Sequence, residues 1–174
     1  MQADIDYHQI LVPITGSRIS DEMMVLACQL ATEKKSAIDG LYVIEVPLNL
    51  PLDASLVNER AKADKVMKAA ALIASQFKVA FRPHIVPARQ AGRAIVDEAK
   101  ELRSEVIILG MARKRRIADR VFGRTIDYVI DHAPCEVLLN VVPEVPGPDA
   151  IPAGTLGASA VPGASSRLQP PTER

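Results

Sequence analysis

A chain of 174 residues, 48% hydrophobic and 24% charged, has the composition of one globular domain with a real core and is too short for two ordinary ones. Its 21 lysines and arginines match its 21 aspartates and glutamates, so bulk charge excludes a general binder of nucleic acid or anionic membrane, and any electrostatic function has to be local. No apolar run reaches the roughly 18–20 residues that cross a bilayer, and aromatics at 3% leave an aliphatic core of Val, Ile, Leu, Ala and Met.

The first residues, Met1 to Gln9, carry acids and lack the basic and apolar regions of a signal peptide, so the cytoplasm is the expected compartment. The first strand is Gln9 to Ile14. It ends in Thr15-Gly16-Ser17, a turn followed by the helix-start residues Ser20, Asp21 and Glu22. Met23, Met24, Ala27, Cys28, Leu30 and Ala31 then recur at helical spacing. A second strand runs from Ile38 to Val46. Pro47 and Pro51 break the chain before a long helix from about Leu56 to Phe77, whose expected buried stripe is Val66, Met67, Ala70, Ala71, Ile73, Ala74 and Phe77.

A third strand, Val79 to Val86, contains Pro83 and is therefore predicted at a sheet edge. A helix at Gln90 to Arg103 presents Ile95, Ala99 and Leu102 on one side. Glu105 to Gly110 is almost wholly apolar, as in a parallel strand buried on both faces. A polar loop, a helix at Thr125 to His132 and a strand at Glu136 to Val142 complete the series. Strands alternating with helices predict an α/β, doubly wound (Rossmann-like) parallel sheet with helices on both faces, over residues 1–142. Ligands of such sheets sit beyond the carboxyl ends of the strands, where the winding reverses. From Pro143 to Arg174 prolines, glycines and serines replace any periodicity, which predicts a disordered tail.

Two loops follow strands one and four, which meet at the switch point. Pro13-Ile14-Thr15-Gly16-Ser17 turns into a helix whose first N–H groups face a ligand. Gly110-Met111-Ala112-Arg113-Lys114-Arg115-Arg116 leaves a buried strand and re-enters a helix through Gly123-Arg124-Thr125. Backbone amides at such a helix start favour anions, and arginines add bidentate phosphate contacts. The Arg113–Arg116 run reads first as a solvated, mobile loop, next as a phosphate grip and last as a protein or lipid partner contact. The three histidines, near element ends, share no metal-ligand spacing, and Cys28 and Cys135 read as small core residues rather than a metal or disulfide pair. Neither a Ser–His–Asp nor a paired-carboxylate pattern is visible, so no catalytic residue or metal site is assigned.

The second loop resembles the nucleotide loop of universal stress proteins: a glycine, two residues, a glycine, nine residues, then glycine followed by serine or threonine. Gly110 and Gly123 match the first and third glycines, Arg113 stands at the second, and Arg124 stands at the hydroxyl position with Thr125 one further on. Ile10 to Ser17, Leu41 to Val46 and His132 to Leu139 are similar to the family's first strand, second strand and closing segment, with Thr15 in place of the usual aspartate. The resemblance covers residues 7–142 and implies strand order 3-2-1-4-5 and a regulatory or sensor role. It implies an adenine nucleotide (ATP, ADP, AMP or a cyclic dinucleotide) at the switch point, with Mg²⁺ accompanying ATP. The site residues it implies are Pro13, Ile14 and Thr15 on the first loop, Val43 near the adenine, Gly110, Met111 and Arg113 on the second loop, and Gly123, Arg124 and Thr125 at the helix start. Strand five is a candidate edge, and the family pairs through it, so a homodimer is expected. Phe122 to Val129 resembles stress-protein domains attached to amino-acid permeases, which leaves open a nucleotide-free module that regulates a transporter. A slow ATPase is the third alternative.

Overall fold

The computed structural model describes residues 7–31, 36–113 and 123–143. All belong to the compact unit that ends at Glu144. The predicted tail beyond Pro143, the first six residues and Lys114 to Phe122 of the basic loop lie outside the described residues.

Among the described residues nine elements follow one another as β1 (Gln9–Pro13), α1 (Arg18–Ala31), β2 (Ala37–Glu45), α2 (Val57–Phe77), β3 (Ala80–Ala88), α3 (Ala91–Glu101), β4 (Val106–Ala112), α4 (Arg124–His132) and β5 (Glu136–Val142). The strands form one parallel sheet in the order β3-β2-β1-β4-β5. That is the order implied by the family resemblance. It puts the proline-bearing β3 on an edge, where a missing N–H is tolerated, and β5 on the other.

Alternation along the central strands builds two cores. Ile10, Val12, Ile38, Val106 and Ile108 face α1 and α2, while Leu11, Leu41, Ile107 and Leu109 face α3 and α4. Strands β1 and β4 have no polar face because helices cover both. The buried stripe of α2 is Ala63, Met67, Ala70 and Ala74, a row of mostly small side chains. Val66, Ile73 and Phe77, expected inside, flank it half-buried, since a helix lying close to a sheet leaves room for alanine at the line of contact and pushes larger groups to its sides. Ser17 Oγ accepts the Ser20 N–H at 3.3 Å and starts α1, and Lys78 ends α2 in the left-handed region at φ 58°.

One charge is buried in the sheet. Asp39 lies in register between Leu11 and Arg82 and is wholly inaccessible. Its carboxylate accepts Arg82 Nε at 2.8 Å, Arg82 Nη2 at 2.6 Å and His84 Nε2 at 2.8 Å, and Arg82 also donates to Gln9 Oε1. A buried carboxylate persists only with such pairing. His84 thus stands mid-strand, hydrogen-bonded to Asp39, not near an element end, because β3 runs on to Ala88 rather than stopping at Val86.

A second polar link joins the segment before β1 to β5. The Tyr7 hydroxyl donates to Glu136 Oε2 at 2.6 Å. Burial, then the hydrogen bond and the negative charge of Glu136, push its pKa from the ordinary value near 10 up to about 12. A raised folded-state pKa means that this contribution is complete below pH 10 and is lost as pH rises towards 12. In urea unfolding, the stability difference between the wild type and Tyr7→Phe should therefore shrink between pH 10 and 12 and stay constant from pH 7 to 9.

Candidate functional site

At the carboxyl ends of β1 and β4 the chain leaves in opposite directions, β1 into α1 on one face and β4 towards α4 on the other. The gap between the two exits is a cavity of about 370 Å³. Pro13, Ile14 and Thr15 form one side. Leu41, Tyr42, Val43 and Glu45 of β2, with Leu109 and Gly110 of β4, form the floor. Ile19 and Met23 of α1, Ala91 and Ile95 of α3, and Thr125 and Ile126 of α4 complete the wall. Apolar surface dominates, and hydroxyls of Thr15, Ser17, Ser20 and Thr125 dot its rim, the usual construction of a small-molecule site.

Local hydrogen bonds hold this rim. The Ile14 N–H donates to Leu41 O at 2.8 Å and prolongs the β1–β2 ladder past the end of β1. Gly16 then turns the chain at φ 76°, a conformation open to glycine at little cost. Thr15 Oγ1 and Ser17 Oγ share a hydrogen bond of 2.9 Å, and Ser20 Oγ donates to Ser17 O at 2.8 Å. Across the cavity Glu45 Oε1 accepts the Ala91 N–H at 2.9 Å, so the last residue of β2 caps α3 from outside the helix. At α4 the Gly123 carbonyl accepts the N–H groups of Ile126 at 2.8 Å and Asp127 at 3.1 Å, and no described side chain caps the helix. Among the described residues no three His, Cys, Asp or Glu side chains are grouped to hold a metal ion.

Six of the ten residues singled out in the sequence meet in this cavity: Pro13, Ile14, Thr15, Val43, Gly110 and Thr125. The other four stand outside its lining. Met111 is half-buried within β4, and Arg113 is exposed, its N–H bonded to Val142 O at 2.8 Å as β4 and β5 end together. Gly123 precedes α4, and Arg124 lines a neighbouring groove. Sequence reasoning passed over Tyr42, Glu45, Ile95 and Ile126. Glu45 had a signal, since it ends a central strand; the two isoleucines look like ordinary helix-stripe residues.

The two retained loop glycines do different work. A Cβ on Gly110 would lie 2.5 Å from Ile19 Cγ2 and 2.7 Å from Met23 Cγ, so this glycine lets α1 rest on β4. A Cβ on Gly123 would meet nothing within 4 Å. No packing against the described residues requires glycine there.

Comparison with known proteins bears on this geometry. The model of the universal stress protein family matches residues 6–141. The chain belongs to the universal stress protein family. A universal stress protein of Methanocaldococcus jannaschii is 26% identical over 144 residues, 79% of this chain and 84% of that protein. An Na⁺/H⁺ antiporter of Synechocystis is 24% identical over 129 residues, 74% of this chain but 18% of the antiporter. Among solved structures, the universal stress protein UspA of Lactobacillus plantarum superposes with a TM-score of 0.60 at 29% identity, over 76% of this chain and 97% of that one. The Archaeoglobus fulgidus universal stress protein in complex with dAMP gives 0.61 at 18% identity, over 78% and 98%. An Arabidopsis thaliana family protein with AMP bound gives 0.56 at 16%, over 76% and 90%. The last two are likenesses of fold.

Within this universal stress fold the roles of the two glycines separate by stability. Gly110→Ala should cost about 1–3 kcal/mol through overpacking against α1, whereas Gly123→Ser, a good residue at a helix start, should stay within about 0.5 kcal/mol of the wild type. Urea unfolding midpoints of the two variants measure the contrast, and equal losses would refute it.

Proposed function

We propose that this universal stress domain is a regulatory binding module that takes an adenine nucleotide at the switch-point cavity. The observation that carries the reading is the apolar slot between Ile14, Leu41, Val43, Leu109 and Ile126, with hydroxyls of Thr15, Ser17 and Thr125 at its rim. Such a slot suits a planar base with a sugar and phosphate leaving towards the polar side. No described residue crowds Gly123 or caps the start of α4 with a side chain, which favours an anion there. Relatives of the same fold are described with dAMP and with AMP bound, which supports a nucleotide as the ligand class.

Thr15 supplies a hydroxyl rather than a carboxylate, so Mg²⁺ arriving with ATP would be held by the phosphates and water. Glu45, the one carboxylate that lines the cavity among the described residues, is engaged with the Ala91 N–H. The reading is therefore binding without much catalysis, in the cytoplasm. Calorimetric and thermal-shift titration with adenosine, AMP, ADP, ATP and cyclic dinucleotides tests it. A ligand at a hundred times its Kd should stabilise the fold by about 2.7 kcal/mol, several degrees in melting temperature. Val43→Arg should abolish that shift while the protein still melts cooperatively. A flat response to all of these compounds would sink the nucleotide reading.

A second reading, a module that regulates a transporter without nucleotide, is favoured by the match to a segment of an antiporter. Nucleotide retained through purification would count against it.

Pairing of two copies through β5 is part of the same proposal. This strand forms one edge of the sheet, and its Val141 is 40% exposed. Exposed edges invite pairing, and an inserted lysine discourages it. Light scattering at micromolar concentration should give a dimer for the wild type and a monomer for Val141→Lys. A wild-type monomer would remove this part of the proposal.

A further inference from the structure

Beside the cavity lies a groove of about 730 Å³ between the amino-terminal ends of α3 and α4. Glu45, Ala91 and Thr125 line both spaces, so the groove and the cavity are direct neighbours. Close approach of the two helices sets the width of the groove. A Cβ on Gly92 would lie 3.0 Å from Tyr128 Cβ and 3.1 Å from the Thr125 carbonyl oxygen, so glycine at this position brings α3 against α4. Residues Arg93 and Arg124 are thereby placed along one groove from different helices.

Three guanidinium groups line it: Arg89, Arg93 and Arg124. Their commitments differ. Arg89 donates to the carbonyls of Val46 at 3.1 Å, Pro47 and Leu50 at 2.8 Å, and so fastens the segment after β2. Among the described residues Arg93 pairs only with Asp97, at 3.7 Å and with its side chain 73% accessible, an interaction of little strength in water. Arg124 makes no ion pair with any described residue. The carboxylate in the groove, Glu45, is bonded to the Ala91 N–H. Among the described residues, two forked cations therefore stand with unused donors in a groove that shares Glu45, Ala91 and Thr125 with the cavity. A planar guanidinium with free donors matches phosphate oxygens in pairs.

We propose that this groove is a phosphate subsite in which Arg93 and Arg124 hold the outer phosphoryl groups of a nucleotide whose base fills the cavity. The inference rests on the nucleotide reading above and narrows it: the preferred ligand class is a nucleoside di- or triphosphate, not a nucleoside or a monophosphate. Arg124 then acts from the groove side of Thr125, and Arg93, absent from the resemblance to any motif, becomes a specificity-determining residue.

Calorimetry on the full chain with adenosine, AMP, ATP and inorganic tripolyphosphate provides the test, in the wild type, Arg93→Gln, Arg93→Gln/Arg124→Gln and the remote control Lys62→Gln. Each lost charge-assisted contact should weaken ATP by about tenfold or more, leave adenosine unchanged, and reduce the sensitivity of ATP binding to added salt. Lys62→Gln should change none of these. If the arginine variants weaken ATP no more than adenosine, or no more than Lys62→Gln does, the subsite is refuted while the nucleotide reading stands. Tripolyphosphate bound in an Arg93-dependent way without any adenosine or ATP binding would keep the subsite and refute the nucleotide reading. Binding of none of the four probes overturns both.

Discussion

The contact between β1 and β4 is the constraint on which the rest of the domain depends. Only two residue pairs define it, Ile10 with Val106 and Leu11 with Ile107, and all four side chains are wholly buried. Two strands covered on both faces must be apolar throughout, and both read that way in the sequence. Because the chain passes from β1 to β2 over one face and reaches β4 from β3 over the other, the loops beyond the two strands part company. The cavity is the space they leave, so it follows from winding rather than from any one residue.

Packing and binding share the glycines of this region unequally. Gly110 belongs to packing, since α1 could not otherwise lie on β4, while Gly123 has no neighbour inside the described protein. A loop motif read as a unit therefore divides into a structural half and a half free to serve a ligand. The arginines that depart from the motif divide as well. Arg113 follows the β4–β5 ladder outward, and Arg124 turns to the groove beside α3. Neither fills the cavity.

Polar groups buried away from that site follow a stricter rule. Asp39 sits in the sheet between β1 and β3 and meets Arg82 and His84, one of which remains about half exposed on its side chain. A carboxylate with three donors in place is affordable there, and one without them would not be. The arrangement ties β2 to the edge strand β3 at the end of the sheet opposite the cavity, in addition to the backbone ladder.

Most of the fold was legible in the sequence because periodicity reports burial directly. The apolar runs at 9–14 and 105–110, Pro83 on a strand and the helical spacing of Met23, Ala27 and Ala31 each follow from which side of an element meets water, and that is a local property. Part of the site was legible from position: Pro13, Ile14, Thr15 and Gly110 stand at strand ends, where doubly wound sheets gather their ligands, while Val43 came from the family resemblance alone. What only the tertiary structure decided concerns residues distant in the chain. Glu45 caps a helix that begins 46 positions later, Asp39 finds partners 43 and 45 positions on, and Arg93 comes to line the same groove as Arg124 because Gly92 admits a second helix. Periodicity carries no record of such meetings. They depend on how the helices cross the sheet, which is fixed by the packing of the whole domain.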